Sequence, residues 1–513
     1  MKQIIYYFLI LSVSYCEWST NIDNPLELGF GIQSQIKSTS DGGAYVAWLS
    51  EVNFNVHIQK LDQYGNLQFE ENGLIVSAQP NSSWIAVHHM NLVVDDDDNA
   101  IVSTLDTRTG QWQVYVYKIS PDGEMLWGND GIHVSILATE NISPRVELLS
   151  NNDVIITWCE NYVSVRIQKI SSNGEIQWNE GGIHIVDNTG DLLNPIPIKV
   201  DNENFFIQWN HQSGPFWAPD TKLFIQKYDN YGNEMWPSPI IAVGPEQFPT
   251  GDYFQEIITN QYGGVYNAWT QMTLSNQSAI VQNISSDGEI IWDNGVELSL
   301  NNNHFRMHPQ IDLSLDSENF LSAWTESNSS QSQRGIYAQK INQYGQKQWQ
   351  NTGIAIVDLN SDYSYLDLDV KVINNDMYAV YIQQSNNMNG DILASRLDID
   401  GIYVWNEHNI HLTNSNNPKS DLFLEKNQTC LFVSWSEQDR IKIHRLRLDG
   451  TVGGNQNILG DVNQDFIIDI LDIVQLVQIA LGYLQPNSNA DLNDDQIYNI
   501  QDIILLIDII LQN

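Results

Sequence analysis

Short stretches in which apolar and polar residues alternate, rich in Val, Ile, Tyr, Trp and Thr and broken every few positions by Gly, Asn or Asp, run along most of the chain. Alternation with period two sets one face of a strand against a core and the other toward solvent, so each stretch predicts a short strand bounded by turns. Residues 309–357 give the plainest unit, with strands at 309–315, 319–325 and 335–341 and a fourth at 347–357 broken at 351–353. No long amphipathic helix is predicted before residue 469.

The unit returns eight times. Gly65, Gly123, Gly174, Gly232, Gly288, Gly345, Gly401 and Gly450 mark the copies, at intervals of 58, 51, 58, 56, 57, 56 and 49 residues. Four residues after the glycine stands an aromatic in seven copies (Phe69, Trp127, Trp178, Trp236, Trp292, Trp349 and Trp405), with Gly454 in the eighth. Five residues before it stands a base in seven (Lys60, Lys118, Lys169, Lys227, Lys340, Arg396 and Arg445), with Asn283 the exception. The second strand carries Trp48, Trp158, Trp209, Trp269, Trp324 and Trp435, with Thr104 and Tyr381 in the other two copies.

Four antiparallel strands per repeat of roughly 50 residues, each with large aromatics, is the pattern of a propeller blade. The expected fold class is therefore all-β, an eight-bladed β-propeller of four-stranded blades followed by a small α-helical module; seven blades is the alternative if one unit is dismantled. The tryptophans are expected to fill the space between blades and the bases to meet acidic neighbours, so neither set marks a site. The eighth unit lacks its outer aromatic while Trp18 lies outside every unit. Residues 17–28 are accordingly expected to supply the last blade's missing outer strand, which removes two exposed edges at once.

In such a blade the two-to-three connections and the crossings to the next blade share one face. The distance from the second-strand marker to the glycine varies from 15 to 23 residues, and that variation falls in the two-to-three loops. The longest insertion, at 213–220, carries Phe216 and Trp217 between Pro215 and Pro219. These are candidate ligand-loop residues, since binding groups gather on loops of rigid scaffolds; the alternative is a loop folded onto its own aromatics.

With 63 acidic residues against 23 basic ones, the formal charge is −40. That argues against nucleic acid, whose phosphates require clustered Lys and Arg, and fits solubility or divalent cations. Apolar residues make up 42 % of the chain, enough for a core throughout. Residues 1–16 run from Lys2 through an apolar stretch to the small Ser12 and Ser14 and have the order of a secretory signal peptide, too short for a transmembrane anchor. A secreted or extracellular, cell-surface-associated protein is expected. Tyr15 stands where a lipid-attachment site at Cys16 would want a small residue, and Cys159 and Cys430 alone do not make a disulfide framework.

Catalytic motifs are missing: no G-x-S-x-G elbow, no H-E-x-x-H helix and no P-loop occurs. His408 and His411 read as surface histidines on a fourth strand, and the run Asp95, Asp96, Asp97, Asp98 as a solvated turn with calcium as the alternative. Ser120, Asp122, Gly123 and Trp127 resemble the Asp-box turn of sialidase-type propellers, with Asp and Gly adjacent and the aromatic one place late; such turns are structural.

After a linker at 451–459 the composition changes. Residues 461–472 and 491–502 align position for position and place oxygen ligands at loop positions 1, 3, 5, 9 and 12. Calcium takes six to eight oxygens, and this spacing folds a 12-residue loop around it with a backbone carbonyl from position 7. Two calcium ions are expected, one held by Asp461, Asn463, Asp465, Asp469, Asp472 and the Ile467 carbonyl, the other by Asp491, Asn493, Asp495, Asn499, Asp502 and the Ile497 carbonyl. The pair, with Asp at position 12 and a helix after each loop but none before, resembles a type I dockerin, an EF-hand-like calcium module by which secreted bacterial proteins, typically polysaccharide-degrading ones, attach to cohesins. Phe466 and Gln496 depart from it where the family has glycine. The resemblance implies that loop positions 10 and 11 choose the partner; here they are Ile470 and Leu471, then Ile500 and Gln501, apolar where small hydroxyl residues are usual.

The expected organisation is a signal peptide at 1–16, a propeller at 17–456 and a dockerin-like module at 457–513. The expected function is non-catalytic binding of an extracellular ligand, a polysaccharide or a surface protein, with the calcium module attaching the protein to a cohesin-like or cell-surface partner. The alternative is a dockerin-borne glycoside hydrolase or polysaccharide lyase; no catalytic residue is assigned.

Overall fold

The computed structural model describes residues 18–136, 139–201, 203–215, 219–246, 255–272, 276–301, 303–314, 319–454, 459–463, 468–486, 488–493, 495 and 497–512. Eight separate four-stranded antiparallel sheets account for all its strands. In blade 6 the order from inside outward is His304–Leu313, Asn319–Asn328, Arg334–Asn342 and Ile354–Asn360. The first strands of successive blades stand side by side, and that of blade 8 (Lys419–Lys426) returns against that of blade 1 (Ile32–Ser38), so the ring is closed and has eight blades. Second strands are buried along most of their length, wholly so in Ala100–Asp106 and Cys430–Glu437. The fourth strand is not one stretch: every blade has a single bridge just past its glycine, such as Ile341 to Lys347, before the outer strand resumes.

Around the ring one clamp is repeated. Each marker glycine sits with φ between +76° and +90°, a left-handed conformation that side chains resist. Its Cα lies on the aromatic of the preceding blade: Gly123 on Phe69, Gly174 on Trp127, Gly450 on Trp405, so a Cβ would collide. The carbonyl two residues before the glycine accepts from the base of the preceding blade: Lys118 Nζ donates to Ser172 O (3.2 Å), Lys340 Nζ to Ile399 O (2.9 Å), Arg396 to Leu448 O (2.5 Å). The base also meets an acid on the first hairpin of its own blade, in the pairs Lys60–Asp41, Lys118–Asp95, Lys169–Asp153 and Arg396–Asp376. Where the base is Asn283, the acid is replaced too, and the Asn260 amide donates to Asn283 Oδ1 (3.3 Å).

Closure obeys the same rule. Leu26–Phe30 pairs with Arg440–Arg447 as the outer strand of blade 8, later in the chain than the expected 17–28. Trp18 takes the aromatic position that Gly454 leaves empty: it lies under Gly65, and its Nε1 donates to Gln63 O (3.0 Å) beside Arg445. The N-terminal strand thus fastens the ring with the contact every other blade makes in sequence.

Several local expectations are corrected. Asp95 is buried, not solvated, because Lys118 pairs with it at 2.8 Å; burial opposes its ionisation, but Lys118 and Asn99 hold the carboxyl below its usual range. Asp98 accepts from Ser40 of the neighbouring blade. One five-residue helix, α1 (Trp84–His88), crosses from blade 1 to blade 2. His408 and His411 are exposed; only His411 lies in a strand, and His408 stacks on Tyr403. Cys159 and Cys430 are buried free thiols. Past the ring, α2 (Ile470–Ala480) and α3 (Ile500–Gln512) each follow a loop and pack together through Leu476 and Leu506. No helix among the described residues is long and apolar enough to cross a membrane.

Trp18→Ala is expected to cost about 3–5 kcal/mol, as a buried tryptophan does elsewhere, and to shift the urea midpoint as far as Trp405→Ala does. A loss below about 1 kcal/mol, within the range of ordinary surface changes, would show that closure does not depend on this residue.

Candidate functional site: an acidic axial pocket

The innermost strand of each blade hydrogen-bonds to a strand on one side only. Its other edge carries N–H groups that need acceptors. Six of these strands break register at one equivalent place, between Ile32 and Gln35, Ile142 and Arg145, Leu193 and Ile196, Met307 and Gln310, Leu366 and Asp369, and Ser420 and Phe423. Gln33, Ser143, Asn194, His308, Asp367 and Asp421 occupy the bulges at positive φ, and His89 adopts the same conformation ahead of blade 2. Bulges re-aim side chains, and here they turn polar groups toward the axis.

Beyond the bulge the side chains cap the next blade's edge. Leu92 N–H donates to Gln35 Oε1 (3.0 Å), Val146 N–H to Asn91 Oδ1 (2.9 Å), Val372 N–H to Asp312 Oδ2 (2.7 Å) and Leu424 N–H to Asp369 Oδ2 (3.0 Å). At the bulges, Gln33 N–H donates to Asp421 and Leu422 N–H to Asp367, both at 3.4 Å. Lysines balance part of the charge, Lys371 on Asp369 (3.0 Å), Lys37 on Glu425 (3.4 Å) and Lys426 on Asp312.

On the face that holds the two-to-three loops, the channel opens into a cavity of about 760 Å³. Inner strands of blades 1, 5, 6, 7 and 8 and the approach to blade 2 line it, with Gln331 and Arg334 from the loop of blade 6 at its mouth. One set of lining groups is acceptor-rich: Gln33, Gln35, Gln310, Glu256, Glu326, Asp367, Asp369 and Asp421. The other is apolar: Met90, Met307, Tyr365, Leu366, Leu368, Leu422 and Phe423. Glu326 has a structural cause, because it accepts from Trp324 Nε1 (2.9 Å) and meets His304 (2.5 Å).

Glu256 stands apart. The Gln310 side chain holds its carboxyl. Burial first, offset by Lys371 and reinforced by the Asp369 charge, pushes its pKa up to about 7. Burial also raises Asp367, opposed by Leu422 N–H and aided by Asp421. His308 is pushed down by burial. The pocket thus holds a carboxyl that keeps its proton close to neutrality beside one that is paired with Lys371, two different environments for two carboxyl groups.

Spacing in the sequence did not bring these residues together. Glu256, Asp367, Asp369 and Asp421 lie on three blades, one or two per repeat, with no local motif. A usable signal was present, since Asp367 and Asp421 occupy the same place in successive repeats, in the middle of strands that should alternate with apolar residues. Phe216 and Trp217 lie outside the described residues, as do Asp465 and Ile467 of the first C-terminal loop.

In that module the last acid of each loop is wholly buried and folds the loop onto its helix. Asp472 accepts from the N–H groups of Val462, Asn463 and Asp469, and Asp502 from those of Leu492 and Asn499. Asp469 caps α2 in a capping box with Asp472. Asp461 is buried; Asp491 and Asn493 both accept from Asp495 N–H (3.1 Å). Among the described residues no three His, Cys, Asp or Glu side chains converge closely enough to share a metal. Ile470, Leu471, Ile500 and Gln501 are all exposed, the three apolar ones by 56–68 %.

Fold and site together define an eight-bladed propeller with an acidic, partly apolar axial pocket. No family model and no curated protein matches the chain. Among solved structures it is similar to the polysaccharide lyase Uly1, at 8 % identity over 75 % of this chain and 93 % of that one, with a TM-score of 0.40. It is also similar to a Penicillium chrysogenum α-L-arabinanase complexed with arabinobiose (12 %, 60 % and 93 %, TM-score 0.33) and to a Dyadobacter fermentans protein of unknown function (8 %, 62 % and 94 %, TM-score 0.36).

The raised Glu256 makes stability pH-dependent. Between its ordinary value near 4.5 and about 7 the folded chain binds the extra proton, so stability contributed by this group falls as pH rises through that window. Glu256→Gln is expected to leave stability at pH 5 unchanged and to raise it at pH 8 by about 1–3 kcal/mol, read as a pH-dependent gain in urea midpoint over the parent.

Proposed function

We propose that this is a secreted saccharide-recognition protein, whose propeller holds a polyhydroxylated ligand in the axial pocket and whose C-terminal module, loaded with two calcium ions, tethers it to a cohesin-like or cell-surface partner. The cavity carries this reading. Carboxylate and amide oxygens accept from ring hydroxyls, while Tyr365, Leu366 and Phe423 offer apolar surface to the C–H faces of a sugar, the combination expected of a small-ligand site. The bulged inner strands fix these groups on a rigid ring, so little ordering is needed on binding.

For the tether, the support is the duplicated ligand pattern together with the two loop-to-helix turns and the exposed Ile470, Leu471 and Ile500. Asp461, Asn463, Asp465, Asp469 and Asp472, with Asp491, Asn493, Asp495, Asn499 and Asp502, are oxygen donors suited to calcium. Calcium would offset the repulsion within each acidic loop, and the chain's own contribution is the buried Asp472 and Asp502 that set loop against helix.

A second reading, hydrolysis, is favoured by one observation: Glu256 retains its proton to about 7 next to Asp369, which is paired with Lys371. A protonated carboxyl can donate to a leaving glycosidic oxygen while an ionised one activates water or attacks.

Calorimetry of the full chain with neutral oligosaccharides is expected to give binding that Asp367→Asn with Asp421→Asn weakens about tenfold or more without lowering the melting temperature; unchanged affinity would move the site elsewhere. Reducing-end release abolished by Glu256→Gln would establish the hydrolytic reading in place of binding alone. In the full chain, two calcium ions per molecule are expected, and none after Asp461→Ala with Asp491→Ala; a parent that takes up no calcium removes the tether.

A further inference from the structure

We propose that the axial pocket selects a saccharide bearing free amines over its neutral and acidic counterparts. This rests on the saccharide reading above and adds the charge of the ligand. Glu256 of blade 5, Glu326 of blade 6, Asp367 and Asp369 of blade 7 and Asp421 of blade 8 all face the cavity. Among the described lining residues the basic groups are Arg334, exposed at the mouth, His89 and His308; Lys371, engaged with Asp369 at 3.0 Å, stands behind the wall. Glu326 is engaged with His304. Asp367 and Asp421 pair with no Lys or Arg among the described residues, and Glu256 is reached only by the field of Lys371, which Asp369 already holds.

A second observation points the same way. Gln33 lines the cavity, its Nε2 donates to Ala86 O (2.8 Å), and its Oε1, shut off from solvent, receives no hydrogen bond from any described residue. The wall is therefore acceptor-rich behind its surface as well as at it, and what it offers a ligand directly is the acceptor capacity of its carboxylates. A hydroxyl brings lone pairs along with its proton, whereas an ammonium offers three donors and no acceptor. It also brings a counter-charge to Asp367 and Glu256, on which burial favours the protonated form. A uronate or sulfate would bring like charge to the same wall, which is costly in a poorly solvated site. Leu366 and Phe423 can serve the ring faces of any pyranose, so the selection falls to charge.

The test is calorimetry on the full chain at pH 6.5 and low salt with four hexamers: fully deacetylated chitosan hexamer, its N-acetylated form, cellohexaose and hexagalacturonate. The deacetylated hexamer is expected to bind at least about tenfold more tightly than the neutral two, to release protons on binding as Glu256 ionises, and to lose its advantage in 0.5 M salt and in the Asp367→Asn, Asp421→Asn variant. The proton release is read from the dependence of heat on buffer ionisation. Equal binding of the amine and neutral hexamers, or preference for hexagalacturonate, overturns the selectivity while the saccharide reading stands. No binding of any hexamer at millimolar concentration overturns both.

Discussion

The constraint on which this molecule depends is the unpaired edge of its innermost strands. Eight sheets that no strand ladder joins leave eight inner edges around an axis, and each N–H there costs free energy unless something accepts from it. Water can serve only where the channel is wide. Elsewhere the chain supplies Gln35, Asn91, Asp312, Asp369 and Glu425, each reaching one blade onward. Carboxylates are strong acceptors, and Lys37, Lys371 and Lys426 hold part of their charge in place. The acidity of the axis thus has a structural origin before it has any functional one.

The perimeter solves the complementary problem, how to hold blade to blade without a continuous sheet. Its answer is a glycine over an aromatic ring, with a base that spans to the next blade's turn. The exceptions test the rule better than the regular copies. Asn283 comes with Asn260, so that when the cation is lost its acid is lost as well, and no buried charge is stranded. Gly454 comes with Trp18, over 400 residues away in sequence, which restores both the ring under the glycine and the donor to Gln63 O. Paired exceptions of this kind mean that the contact, rather than either residue, is what the fold requires.

That is also why so much of the perimeter was legible in the sequence and so little of the axis. The glycine, aromatic and base lie within nine residues of one another, so their register survives in one dimension. The closing role of Trp18 followed from a gap at Gly454, though the strand itself came at Leu26–Phe30 because the chain needs the intervening residues to cross the blade edge. The pocket acids follow no local spacing, since each belongs to a separate inner strand and they meet only when the ring closes. The bulges that aim them leave no composition signal either: Gln33, Ser143, Asn194, His308, Asp367 and Asp421 share a backbone conformation and a polar character, nothing more. The aromatic pair Phe216 and Trp217 stood out in the sequence because it was local; it lies outside the described residues.

Edge capping also separates the acids that the fold explains from those that it does not. Asp312 and Asp369 each accept from a neighbouring backbone and pair with a lysine, so removing them would expose N–H groups and strand a cation. Asp367 and Asp421 receive backbone N–H groups only at 3.4 Å and have no lysine. Glu256 is held by the Gln310 side chain, in a place where ionisation is opposed by burial and by Asp369. A glutamine there would satisfy Gln310 equally well and avoid the electrostatic penalty. A carboxyl on the wall of the axial cavity, held where burial opposes its ionisation, is the pocket acid whose presence the described contacts explain least.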